Sequence, residues 1–348
     1  MSVPGRPPLP EGPYLVVGLA RSGAAAARML SAHGEVIGVD SRRDAQAPPG
    51  IEGHLGADGL ALLERARTVV KSPGVPRTAP VIAAALERGI PVLGELELAW
   101  RLLANRFIAV TGTNGKTTTV ELLGAIHRAA GLEVALAGNV GTAVASLVGA
   151  LGPDATVVCE VSSFQAEDAQ AFAPDVALLL NLAEDHLDRH GSFEAYKEAK
   201  LRVFERQGPG QVAVAPPALG LPGRARRVSF GGGHDDLALV DGELRWLGEP
   251  LMAAGEVRLR GAHNLENAMG AAAAALAAGL PAQAVSQALM SFAGVPHRLE
   301  EVGRAGGVLY VNDSKAPNVA AARRGIEAFE GGVHVILGGS LKGGGFSE

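Results

Sequence analysis

The sequence predicts an α/β protein of three units, two of them built on mainly parallel sheets and the third begun but incomplete. Three observations predict it. Short apolar runs alternate with helix-length segments from residue 14 onward, the pattern of parallel strands joined by crossover helices. A strand-like run at 107–110 opens into a glycine-bracketed turn and then a helical pattern. The chain, at 348 residues, also exceeds what one hydrophobic core usually serves.

Composition narrows the class. With 47% hydrophobic and 19% charged residues the chain reads as globular, not disordered. A net charge of −5 argues against a nucleic-acid binder, which normally carries a basic excess. No apolar run reaches the ~18 residues of a membrane span. The opening MSVPGRPPLPEGP lacks an apolar stretch and is expected to be a disordered lead-in, not a signal peptide. The single cysteine, Cys159, reads as a small core residue, so no disulfide is expected and a reducing cytoplasm is.

The first unit, 1–105, begins with a strand at 14–18, a turn through Gly23, a helix and a second strand ending in Asp40. This is Rossmann-like, but Ala20 stands where the dinucleotide fingerprint needs its middle glycine, so a nucleotide turn and a plain βαβ packing turn both remain open. A helix at 57–66, a strand at 68–72, a helix at 80–88, a strand at 90–93 and a helix at 95–104 complete it. The second unit, 106–295, carries strands at 132–137, 155–161 and 175–181, a helix at 192–207, short strands with a D-G hairpin signal between 211 and 260, and helices at 262–278 and 281–292. The third, 296–348, reads as strand 306–314, helix 316–329 and strand 332–339. So short a βαβ start is expected to be incomplete, since two exposed strands rarely make a stable sheet.

The chemistry concentrates at Thr111-Gly112-Thr113-Asn114-Gly115, followed by Lys116, Thr117, Thr118 and Thr119. A glycine turn between strand and helix closes backbone N–H groups around phosphate oxygens, and the helix N-terminus adds positive potential. Lys116 would reach the outer phosphates and the Thr117 hydroxyl would help hold Mg²⁺. The usual phosphate-loop spacing asks for glycine at 110, where Val110 stands; Gly115-Lys116-Thr117 fit. A glycine turn with a surface lysine is the plain alternative, disfavoured because strand, turn and helix coincide.

Other candidates sit at strand ends, the edge where open α/β sheets bind ligands. Glu160 is either a metal-holding carboxylate or an exposed acid. His186, in EDHLDRH, is a metal ligand or a solvated loop histidine, with Glu184, Asp185 and Asp188 beside it. Lys200 looks like an ordinary helical lysine. Asn264 and Asn267, one helical turn apart, are a nucleotide-facing pair or a capped helix start. Asp313 and Lys315 follow a strand end, and Arg298 could reach a phosphate across a unit boundary.

Together these segments resemble the Mur ligases: GLARSG, TGTNGKTTT, GNVG, EVSSFQ, NLAEDHLDRH, AKLRVF, HNLENA, NDSKAPN and LGGSLKGG run in that family's order over nearly the whole chain. SSFQ, NDSK and the Rossmann-like first unit point to its D-glutamate-adding branch. The resemblance implies the three-domain Mur architecture: a Rossmann-like domain, a central P-loop-type ATPase domain and a Rossmann-like C-terminal domain, incomplete here. It also implies an ATP- and Mg²⁺-dependent amide ligase of peptidoglycan precursor synthesis, a cytoplasmic monomer without nucleic-acid partner or membrane span. Its substrates would be UDP-N-acetylmuramoyl-L-alanine, D-glutamate and ATP.

By the same resemblance Gly112, Thr113, Asn114, Gly115, Lys116, Thr117 and Thr118 would bind nucleotide together with Asn264, Asn267, Arg298 and Asp313. Thr117, Glu160, His186 and Lys200 would serve the metal, Lys200 as a carbamate, and Lys116, Glu160, His186 and Lys200 would carry catalysis. Ser22, Asp40, Ser41, Arg42 and Gly74 would hold the uridine diphosphate; Asn139, Ser162 and Gln165 would lie along the muramoyl end; Lys315 and Lys342 would meet D-glutamate. Pro317 stands where the family usually has threonine, which removes a hydroxyl from that last site. Three other readings are a folylpolyglutamate-type ligase, an NAD(P)-dependent dehydrogenase built on residues 14–40, and a binding protein without activity.

Overall fold

The computed structural model describes residues 3, 5–316 and 319–338. Its first sheet takes β1 (Tyr14–Val17), β2 (Val36–Asp40), β3 (Glu52–Leu55), β4 (Thr68–Lys71) and β5 (Val92–Gly94), all parallel in the order β3-β2-β1-β4-β5. Side chains alternate across it. Tyr14 and Val16 pack under α1 (Arg21–Leu30) and α3 (Glu95–Leu102), while Leu15 and Val17 pack on the opposite face with α2 (Pro80–Glu87).

The second sheet is also parallel, in the order β11-β10-β9-β6-β8-β7. It comprises β6 (Arg106–Thr111), β7 (Val134–Gly138), β8 (Thr156–Glu160), β9 (Val176–Leu179), β10 (Val212–Ala215) and β11 (Arg226–Ser229). One face of β6, Ile108 and Val110, is covered with α4 (Lys116–Ala129), α8 (Ala262–Ala277) and α9 (Ala282–Ser291). The other, Phe107 and Ala109, joins the same core as α1 and α3. The two sheets therefore share apolar packing: Trp100 of α3 meets Phe172 edge-on at 5.7 Å, and Phe172 meets Phe107 at 6.1 Å. Cys159 is fully buried there and burial pushes its thiol up, as a small core residue requires.

Between them run α5 (Ser163–Ala166), α6 (Leu187–His190) and α7 (Phe193–Glu205). An antiparallel sheet of β12 (Leu237–Val240), β13 (Glu243–Trp246) and β14 (Glu249–Ala253) follows. The D-G hairpin signal is realised as a two-residue turn, Asp241 and Gly242 both holding positive φ (49° and 79°) between the paired Val240 and Glu243.

Three expectations differ from the structure. The lead-in is tied down over residues 5–13, because the Arg6 guanidinium donates to Trp100 O and Asn105 O and lies 4.8 Å from the Trp100 ring. Residues 57–66 hold only a 3-10 turn, and the strand missed just before it, β3, is short, polar and exposed; it exists because β2 offers its backbone a ladder, not because its side chains demand it. The start of the third unit is an antiparallel hairpin, β15 (Glu300–Ala305) with β16 (Val308–Asn312), followed by α10 (Val319–Ile326). Residues 332–338 form no strand: no described neighbour pairs with their backbone, and Ile336 is wholly exposed.

Candidate active site

The carboxyl ends of β6, β8 and β9 lie side by side. Register sets Glu160 beside Val110 and Gly138, and Thr111 beside Leu179. The chain crosses β6 on its way from β8 to β9, which opens a crevice above β6, and the glycine turn fills its floor.

That turn is held from below. Asn114 N–H donates to Asn181 Oδ1 at 2.9 Å and the Asn181 amide returns a bond to Asn114 O at 3.1 Å. The Thr113 hydroxyl accepts from Ala183 N–H (3.0 Å) and Tyr196 OH (3.1 Å), and donates to Ala183 O at 3.1 Å. All its capacity is used, so the turn is fixed in advance. Gly115 has φ 87°, and a Cβ there would stand 2.0 Å from Asn267 Oδ1. Only glycine lets the helix start come this close to α8. Asn267 in turn donates to Asn264 Oδ1 at 3.3 Å, and Asn264 to Arg260 O at 2.8 Å, so the asparagine pair is buried against the turn and is not a helix cap.

Two cations and one carboxylate ring the turn. Lys116 Nζ donates to Gly112 O and Thr113 O, each at 2.9 Å, and Lys200 Nζ donates to Gly112 O at 2.8 Å. Thr117 Oγ1 donates to Glu160 Oε2 at 2.8 Å, and Asn139 Nδ2 to Glu160 Oε1 at 3.0 Å. Lys200 is 1% exposed, with the Tyr196 ring 4.6 Å below its amine. Burial and then the Lys116 charge hold the Lys200 amine well below its ordinary value, against the pull of Asp185 and Glu160. Burial lowers Lys116 as well, opposed by Glu160 and Asp185. The lysine that composition gave no reason to notice is the most deeply buried cation at this edge.

The remaining candidates spread outward. His186 caps α6 with φ 50°, its side chain about half exposed, 3.7 Å from Asp185 Oδ2 and with its ring 4.9 Å from Phe164. It stands at the same sheet edge, but its neighbours are Asp185 and Phe164. Ser162 and Gln165 cap α5 reciprocally: Gln165 N–H donates to Ser162 Oγ at 3.3 Å, and Ser162 N–H to Gln165 Oε1 at 3.1 Å. Thr118, Arg298, Asp313 and the asparagine pair line one cleft with Asn114 and Gly115, and Arg298 Nε is buried with no hydrogen-bond partner among the described residues. Asp313 accepts from Leu299 N–H at 3.1 Å, and Lys315 is exposed. Lys342 and Pro317 lie outside the described residues.

On the first sheet, Asp40 is buried and accepts from Leu19 N–H (2.8 Å) and Arg42 N–H (2.9 Å). Burial pushes this carboxyl up, but those bonds outweigh it and hold it below the usual range. It orders a mouth at which Ser22 is half-buried and Ser41, Arg42 and Gly74 are exposed. Arg21 then reaches Asn139 O at 2.9 Å, tying this mouth to the central edge.

Sequence reasoning passed over Asn181 and Tyr196. Each carried a signal: Asn181 closes the buried run DVALLLN, and Tyr196 stands four residues before Lys200 on one helix face. The oxygen set of Thr117 and Glu160 suits Mg²⁺, which is commonly bound by one or two carboxylates plus phosphate oxygens and water; among the described residues no group of three or more His, Cys, Asp or Glu gathers.

Comparison with known proteins places the chain in a family. Residues 13–94 match the Mur ligase MurD-like N-terminal domain and residues 110–218 the Mur ligase middle domain. The UDP-N-acetylmuramoylalanine--D-glutamate ligase of Acidobacterium capsulatum is 41% identical over 94% of this chain and 76% of its own length. That of Pelotomaculum thermopropionicum is 40% identical over 96% and 78%. Among solved structures, the MurF ligase of Thermotoga maritima in complex with ADP overlays with a TM-score of 0.55 at 20% identity, covering 84% of this chain and 71% of that one. The UDP-N-acetylmuramate-alanine ligase MurC of the same organism gives 0.54 at 20%, covering 90% and 78%.

Proposed function

Because the chain belongs to the Mur ligase family, we propose that it is the ATP-dependent ligase that joins D-glutamate to UDP-N-acetylmuramoyl-L-alanine during peptidoglycan precursor synthesis in the cytoplasm. The observation that carries this reading is the convergence of the phosphate turn, Lys116, Thr117 and Glu160 on one sheet edge, in a chain 41% identical to a ligase of that name.

The chemistry needs such an edge. A carboxylate resists attack by an amine because oxide leaves poorly. Transfer of the γ-phosphoryl group of ATP to that carboxylate gives an acyl phosphate and ADP; the D-glutamate amine then attacks the acyl carbon, the amide C–N bond forms and phosphate leaves. Lys116 supplies fixed positive charge for the transferring group, and the N–H groups of residues 115–118, at the start of α4, cradle the phosphates, while those of Thr113 and Asn114 are held by Asn181. Mg²⁺, held by Thr117 and Glu160 with His186 nearby, would neutralise phosphate charge. Arg298, Asp313, Asn264 and Asn267 hold the nucleotide from the cleft side.

Residues 1–105 take the uridine diphosphate through Ser22, Asp40, Ser41, Arg42 and Gly74. Residues 106–295 take ATP, with Asn139, Ser162 and Gln165 along the muramoyl end, and 296–348 begin the amino-acid-binding unit with Lys315 and Lys342. Lys200 acts as a carbamate. Its amine is held below its ordinary value by burial, and a neutral amine can add CO₂, forming an N–C bond and releasing one proton to solvent. The product is an anion that attracts a divalent cation where an ammonium repels it.

Phosphate release from ATP and Mg²⁺ tests the reading. It should require both UDP-N-acetylmuramoyl-L-alanine and D-glutamate. Release with L-lysine or meso-diaminopimelate replacing D-glutamate would refute the choice of amino acid.

A further inference from the structure

Arg189 is absent from every role above, yet it touches three segments that each carry a substrate residue. Its Nη2 donates to Val75 O at 2.9 Å and approaches Pro73 O at 3.5 Å, the two carbonyls flanking Gly74. The same nitrogen lies 3.1 Å from Glu167 Oε1, just past Gln165. Its guanidinium carbon sits 4.7 Å from the Phe164 ring, which stacks on His190 at 5.3 Å and leans on His186 at 4.9 Å.

A second cation closes the figure from the other side. Lys71, fully buried at the end of β4, donates to Val75 O and Glu167 Oε1, each at 3.0 Å. One carbonyl and one carboxylate oxygen thus each face both cations. The arrangement joins the first sheet to the α5 and α6 segments through charge-assisted bonds that a partly buried setting strengthens.

We propose that Arg189 is a positioning residue that sets the separation between the uridine end of the substrate site, at Gly74, and its muramoyl end, at Ser162, Gln165 and His186. The proposal rests on the ligase reading. The flat guanidinium matters: its Nη2 meets the carbonyls and the carboxylate while its carbon lies over the Phe164 ring, a stacking that a lysine's compact ammonium reproduces poorly.

Calorimetric titration of the 348-residue chain with UDP-N-acetylmuramoyl-L-alanine and, separately, ADP tests it. In R189A the UDP-substrate should bind about tenfold more weakly while ADP stays within about twofold, with R189K between wild type and R189A. Unchanged UDP-substrate affinity in R189A overturns the proposal, and so does an equal loss for both ligands, which would mean general damage to the fold. A wild-type chain that fails to bind the UDP-substrate is a different result: it refutes the ligase reading itself.

Discussion

Lys116 and Lys200 aim their amines at a single acceptor, the carbonyl oxygen of Gly112, at 2.9 and 2.8 Å. Two ammonium groups so placed repel each other, and the repulsion adds to burial in lowering the Lys200 amine. Lys116 is the cation the turn itself contributes, so Lys116→Ala should cut phosphate release by about a hundredfold or more. Near-normal turnover in that variant would falsify the role given to this lysine.

Lys200 carries a separable prediction. Lys200→Ala should lose turnover to a similar degree, and a short carboxylate such as acetate should restore part of it by supplying the missing anion. No rescue at any acetate concentration, or a mass spectrum of the native protein in bicarbonate without one added CO₂, counts against the carbamate.

Glu160 sits between the Thr117 hydroxyl at 2.8 Å and the Asn139 amide at 3.0 Å. Glu160→Gln keeps the shape and removes the charge. The Mg²⁺ concentration for half-maximal activity should then rise about tenfold or more, with little change in UDP-substrate affinity. An unchanged magnesium requirement would place the metal elsewhere.

Gly115→Ala tests the turn by sterics alone. The new methyl would meet Asn267 Oδ1 at 2.0 Å in a backbone of φ 87°. Fluorescence titration should show ADP affinity falling by at least about tenfold while the UDP-substrate still binds. Retained ADP affinity would mean that the nucleotide does not use this turn.

Glu95 supplies a pH-dependent outcome. This buried carboxyl accepts from Ala145 N–H at 2.5 Å, and burial, outweighing that bond, pushes it up to about 7 from 4.5. The folded state keeps the proton that the unfolded chain releases near 4.5. Its stabilising contribution is therefore full below that value and is lost as pH rises through about 7. At about 1.4 kcal/mol per unit the loss is about 3 kcal/mol. Urea unfolding at pH 5 and pH 8 should show a smaller drop for Glu95→Gln than for wild type; equal drops would mean that Glu95 does not titrate in this window.

Much of the architecture was legible because it rests on local patterns. Runs such as YLVV and FIAV are apolar on both faces, as strands of a sheet covered on both sides are, and the helix-length segments between them announced the crossovers. The exceptions lacked such a pattern. Strand β3 is polar and exists through its pairing with β2, while β15 was signalled only by the Gly306-Gly307 step that joins it to β16.

The sequence by itself determined the glycine turn between β6 and α4, because strand, glycines, lysine and helix start are adjacent in the chain and their geometry depends on that adjacency. It also placed Glu160 at a strand end. Only the tertiary structure decided which distant groups complete the site: Lys200 reaches Gly112 across 88 positions, and Asn267 meets Gly115 from another helix. Those contacts depend on how α7 and α8 pack on the sheet, and an exposed helical lysine and a buried one look alike until that packing removes one of them from water.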